Sequence, residues 1–163
     1  MAQPKGYSVT QIWLHWIVAV LILLQFVLND AVGAAWRAFV KGEEIAFNPL
    51  VAQHVFGGIL ILALVVWRIA IRARRGAPLP PENESASLQM VAQATHGLLY
   101  MLIIALVVSG GLAWFGNIRA AAETHEVMTT LLMILVGLHV VGALYHQFVL
   151  KTNLMVRMKR PLD

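Results

Sequence analysis

Six histidines, His15, His54, His96, His125, His139 and His146, lie inside or at the rim of long apolar stretches in a chain that has no cysteine. An imidazole at membrane depth is costly unless it binds something, and the neutral ring is the commonest protein ligand for a metal ion. The six therefore read as a metal-ligating set. A lone intramembrane histidine often does no more than hydrogen-bond a neighbouring helix, a role that suits any one of them better than it suits all six.

Spacing sorts the set. His125 and His139 are fourteen residues apart, close to four helical turns, so they project from nearly one helix face about 21 Å apart along the axis. One helix thus serves two stacked sites. His54 falls a few residues into its own apolar stretch, at the level of His125, and His15 falls toward the level of His139. Two pairs result, His54 with His125 and His15 with His139, each joining two helices. His125, beside Glu123 and Glu126, is also placed to sit in headgroup water.

The number of ligands per site then selects the metal. A structural zinc site needs about four ligands at roughly 2.0 to 2.3 Å, often thiolates, whereas these histidines come in separated twos. Two axial imidazoles suit haem iron, because the porphyrin supplies the other four nitrogens. Without cysteine there is no Cys-x-x-Cys-His attachment, so the expected cofactors are two haem b groups. Gly57, Gly58, Gly110, Gly111, Gly137 and Gly142 would let a porphyrin approach the backbone, although small residues are common wherever membrane helices meet. His96 and His146 stay open. Either could replace His15 or His139 as a ligand, bond a propionate, or line a quinone pocket, and spacing does not choose.

The elements that must carry these side chains follow from composition. Hydrophobic residues make up 60% of the 163, charged ones 12%, and mean hydropathy is +0.75. So little polar surface cannot coat a soluble globule. Uncharged runs at Ile12 to Leu28, Leu50 to Trp67, Leu98 to Phe115 and Val127 to Leu150 each approach the ~20 residues that cross a bilayer as a helix. The expected fold is all-α, an integral membrane four-helix bundle forming a single domain over 1–163. The first run is longer than a signal-peptide core and carries His15 between Trp13 and Trp16, so it is expected to be retained.

Basic residues orient the bundle. Lys5, Arg68, Arg72, Arg74, Arg75, Lys151, Arg157, Lys159 and Arg160 mark one side against Arg37, Lys41 and Arg119 on the other, nine to three. Both termini are expected in the cytoplasm. The charge of +4 reflects topology and points to no nucleic-acid partner. The links are short: Asn29 to Pro49, with an interfacial segment around Ala34 to Val40; Gly76 to Ser87, with Ser85 or Ser87 as cap; and Gly116 to Thr124.

The residues resemble a known family along nearly the whole chain. Tyr7-Ser8, Ile12-Trp13-Leu14-His15-Trp16, His54-Val55-Phe56-Gly57-Gly58 with Arg68 downstream, and His96-Gly97-Leu98-Leu99-Tyr100 running to Ser109-Gly110-Gly111-Leu112 are similar to bacterial cytochromes b561. So are His125-Glu126, Gly137-Leu138-His139, His146 and the tail Lys151-Thr152-Asn153-Leu154-Met155-Val156-Arg157-Met158. The resemblance implies a bacterial inner-membrane protein in which His54 and His125 ligate a periplasmic haem and His15 and His139 a cytoplasmic one. It leaves His96 and His146 outside the ligand set, with a quinone or proton role open to them. It implies electron transfer between a periplasmic donor, superoxide or a cytochrome, and membrane quinone, ubiquinone in the superoxide-oxidising branch. The Gly116 to Thr124 link is shorter than in that branch, which leaves room for another donor. Arg37, Lys41 and Arg119 would steer an anion inward or serve as ordinary solvated rim charges.

Two rival readings remain. One is a haem-bearing anchor of a larger dehydrogenase or hydrogenase; the other, from a different class, is a haem-free ion or metal transporter lined by histidine.

Overall fold

The computed structural model describes residues 4, 6–81 and 84–161; Lys5, expected to help orient the first span, lies outside them. The chain forms α1 (Val9–Val27), α2 (Asp30–Val40), α3 (Pro49–Arg75), α4 (Ala86–Gly116), α5 (Arg119–Phe148) and the short α6 (Leu154–Arg157). Among the described residues, α1, α3, α4 and α5 are long and apolar enough to cross a membrane. Their outward side chains, among them Val20, Leu23, Phe56, Ile59, Met101 and Val141, are apolar and exposed. That pattern suits lipid rather than water.

The helices start where their caps place them. Ser8 and Gln11 form a reciprocal capping box at α1, with Gln11 N donating to Ser8 Oγ at 3.2 Å and Ser8 N to Gln11 Oε1 at 3.0 Å. Asn48 caps α3 just before Pro49, and Ser85, one of the two expected candidates, caps α4 by accepting from Leu88 N at 3.3 Å. The expected interfacial segment is α2, where Trp36 and Phe39 stack with centroids 5.5 Å apart.

One connection differs from expectation. The link expected over Gly116 to Thr124 shrinks to Asn117 and Ile118, because Arg119 to Thr124 already belongs to α5. Arg-Ala-Ala-Ala-Glu is strongly helix-forming, and Asn117 ends α4 in the left-handed region at φ 57°.

Packing is uneven. The backbone of α5 runs along α4, and α1 runs along α3, while α5 makes almost no close approach to α1 or α3. A small apolar core, Val18, Ile61, Val65, Ile103, Leu106 and Leu132, draws on all four spans. Leu132 stands seven residues from both His125 and His139, so this core separates the two histidine levels. At the basic end, the tail folds back over the bundle: Trp16 Nε1 donates to Met158 O at 2.8 Å and Arg157 Nη1 to Leu79 O at 2.6 Å.

Candidate functional site

Away from the basic end, α3 and α5 bring the rings of His54 and His125 to a centroid separation of 6.2 Å, inclined at 64°. His125 Nδ1 lies 2.9 Å from Leu106 O and 3.3 Å from Ser109 Oγ, and Ser109 Oγ itself donates to Leu106 O at 3.1 Å. A carbonyl only accepts, so Nδ1 carries the proton and Nε2 keeps its lone pair for a metal. The approach depends on Gly110, where a Cβ would stand 3.1 Å from both Cε1 and Nδ1 of His125.

His54 is held through its backbone. Gln25 Nε2 donates to His54 O at 2.7 Å, and Gln53 Nε2 donates to Gln25 Oε1 at 3.1 Å. Gly57 makes room for this pair, because a Cβ there would meet Gln25 Nε2 at 3.1 Å. Among the described residues, His54 Nδ1 and Gln53 Oε1 are buried without a hydrogen-bond partner.

At the basic end, α1 and α5 bring His15 and His139 to the same 6.2 Å, inclined at 73°. His96 from α4 joins them, its ring 5.1 Å from that of His139 and its Nδ1 2.6 Å from Ala92 O. His146 is engaged elsewhere: Nε2 lies 3.2 Å from Glu84 Oε1 and Nδ1 3.3 Å from Thr152 Oγ1, clipping the end of α5 to the α3–α4 link. Beside the trio Arg68 is buried, donating from Nε to Tyr100 Oη at 3.0 Å and from Nη1 to Gln11 O. Trp16, whose ring lies 5.3 Å from His15, also walls a cavity of about 290 Å³ with Ile12, Trp13, Met158 and Lys159.

These separations discriminate between uses. Two imidazoles on opposite sides of one metal, each about 2.0 Å from nitrogen to metal and about 1.2 Å further to the ring centre, have centroids about 6.4 Å apart. Both 6.2 Å pairs fit that figure, and the 5.1 Å separation of His96 from His139 does not. Among the described residues no three His, Cys, Asp or Glu side chains converge to hold a bare metal ion. A ligand that brings its own equatorial donors fits such two-histidine sites.

The four paired histidines are legible in the sequence, and their supports are less so. Gln25 and Gln53 are uncharged polar residues in or beside apolar runs, which is a usable signal. The carbonyl that fixes His125 has no side-chain signature. Arg68, expected among the orienting interfacial charges, is instead buried inside the bundle, because Tyr100 and the α1 backbone receive its donors.

The sequence pattern of the family described as prokaryotic cytochrome b561 matches residues 6–161. The chain is 35% identical to cytochrome b562 of Cereibacter sphaeroides over 99% of both proteins. It is 30% identical to a probable superoxide oxidase CybB of Yersinia pestis over 94% of this chain and 96% of that protein. Cytochrome b561 homolog 1 of Escherichia coli is 27% identical over 93% and 96%.

Proposed function

Starting from a chain that belongs to the prokaryotic cytochrome b561 family, we propose that it carries electrons inward from a periplasmic donor to membrane quinone through two b-type haems. The protein is a multi-pass component of the bacterial inner membrane, carries b-type haem, and serves transmembrane electron transfer. The two-haem reading rests above all on one observation: two histidine pairs share a 6.2 Å separation. His54 and His125 would hold one haem, and His15 and His139 the other. Bound b haem supplies reversible one-electron chemistry, with a potential set by its ligands, burial and nearby charge.

The chain's own part is positioning. Leu106 O and Ser109 hold the His125 ring in the tautomer that presents Nε2. Gln25 braces the helix backbone at His54. The apolar core at Leu132 keeps water from the space between the two levels. With the basic end in the cytoplasm, the orientation that the excess of positive charge favours, His54 and His125 would face the periplasmic side and His15 and His139 the cytoplasmic side.

For the donor we favour superoxide, on the strength of the Yersinia pestis relative's name. Arg37, Lys41 and Arg119 lie at that end among Asp30, Glu43, Glu44, Glu123 and Glu126, with Lys41 paired to Glu43 at 3.9 Å and Arg119 reaching Val40 O at 3.5 Å. Each of two superoxide anions would lose one electron to become O₂, while quinone takes up two electrons and two protons to become quinol. The cavity beside Trp13 and Trp16 is mostly apolar, and its Trp16 wall adjoins the His15 ring, an arrangement that suits a quinone ring. His96, whose ring lies 5.1 Å from that of His139, is the histidine left for quinone protonation, because Glu84 and Thr152 already occupy His146.

Stopped-flow mixing of the purified haem-loaded protein with superoxide tests this reading. Haem reduction followed by quinol formation in the presence of ubiquinone is expected. Haem that stays oxidised would redirect the search to a periplasmic protein donor.

A further inference from the structure

Arg68 is the one cation built into the interior of the basic half among the described residues, only 9% exposed. It lies fourteen residues beyond His54 on α3, the same interval that separates His125 from His139 on α5. The two helices run in the same direction, so Arg68 stands level with His139. Its acceptors Gln11 and Tyr100 each stand four residues, one helical turn, from a histidine of that end, His15 on α1 and His96 on α4.

A guanidinium held among apolar spans is costly without a counter-anion. Helices α1, α3 and α4 contain no aspartate or glutamate, and those of α5, Glu123 and Glu126, lie at the far end. Glu84 is engaged by His146. Among the described residues, no carboxylate pairs with Arg68.

The donors of Arg68 are only partly used. A guanidinium has five N–H groups, of which one goes to Tyr100 Oη and one to Gln11 O. Both acceptors are neutral. The other N–H groups have no acceptor among the described residues, and a carboxylate accepts two such groups side by side. A carboxylate carried by a ligand at the level of His15 and His139 would take those N–H groups.

We propose that Arg68 binds a propionate carboxylate of the haem held by His15 and His139, with Tyr100 and Gln11 fixing the guanidinium for that contact. This rests on the two-haem reading above. Loss of the cation leaves a carboxylate uncompensated, which favours ferric iron and lowers the potential of that haem alone. Tyr100 is a positioning residue, acting through Arg68.

The test is potentiometric titration of the purified two-haem protein beside Arg68→Gln, Arg68→Lys and Tyr100→Phe, with resonance Raman spectra of the propionate bending bands. In Arg68→Gln one haem transition should move to lower potential while the other stays, and one propionate band should shift. Arg68→Lys, which keeps charge without the fork, should restore part of the potential and not the band. Tyr100→Phe should lower the same transition by less, and it carries the test should the glutamine variant fail to accumulate.

Unmoved transitions in a two-haem preparation overturn the assignment, as does an equal shift of both. A change seen only when ubiquinone is added assigns Arg68 to the quinone and likewise overturns it. Fewer than two haems in the unaltered protein would instead defeat the two-haem reading itself.

Discussion

The two ends of the bundle share a histidine geometry and differ in nearly everything around it. At one, a carbonyl, a serine and two glutamines support the pair, all neutral. At the other a third histidine and a buried arginine crowd the pair, and Glu84 is taken by His146. Ligand type therefore cannot distinguish the two sites; surrounding charge can. A cation close to haem iron favours the reduced form, so the basic end should hold the electron more tightly. The gradient would draw electrons from the neutral end to the charged one, the direction expected for an outer donor and an inner quinone.

Removing a ligand from either end should have the largest effect. His125→Ala is expected to delete the haem at the neutral end and leave the other, and His139→Ala the reverse, each measured as haem per chain and as loss of donor-to-quinone transfer. If either substitution removed both haems, the two ends would not be separate sites.

Next in size is Leu132→Ala, midway between the levels. Truncating a buried leucine costs about 2 to 5 kcal/mol, so thermal melts should fall while both haem spectra change together. A change confined to one haem would break the symmetry inferred from its position.

Gly110→Ala should act at the neutral end alone. The new methyl would crowd His125 away from Leu106 O, and loss of an outer-shell partner typically weakens metal binding about 10- to 100-fold. Haem retention after dilution should drop at that end and be unchanged at the other. Smallest is Ser109→Ala. It removes one hydroxyl from a ring that keeps its carbonyl, worth about 0.5 to 1.5 kcal/mol, visible as a modest shift in the potential of the same haem.

Much of this contrast is legible in the amino-acid sequence. The fourteen-residue interval on one helix fixes two levels, because helical rise turns sequence distance into height. The four spans follow from uncharged runs matched to bilayer thickness. What escapes a reading of the residues is whatever depends on a neighbouring helix. Arg68 sits at the end of an apolar run, where sequence alone cannot tell a snorkelling interfacial charge from a buried one. His96 and His146 both lie toward the basic end in the sequence, and they are separated only by what neighbouring elements bring, His139 beside the one and Glu84 from the α3–α4 link beside the other. The start of α5 is hidden because Arg119 and Glu123 resemble loop residues to a hydropathy reading, while their helix propensity is high. Pairing of His54 with His125 is legible as a shared level, but the carbonyl that sets the His125 tautomer belongs to backbone and leaves no mark in side-chain types.

The central claim is that each histidine pair grips its own haem. Haem per chain in the purified, folded protein, read from a reduced-minus-oxidised spectrum against protein concentration, tests it most directly. Two b-type equivalents per chain, falling to one in both His125→Ala and His139→Ala, is the result this account predicts. A single equivalent in haem-replete unaltered protein, or a colourless folded one, would contradict it.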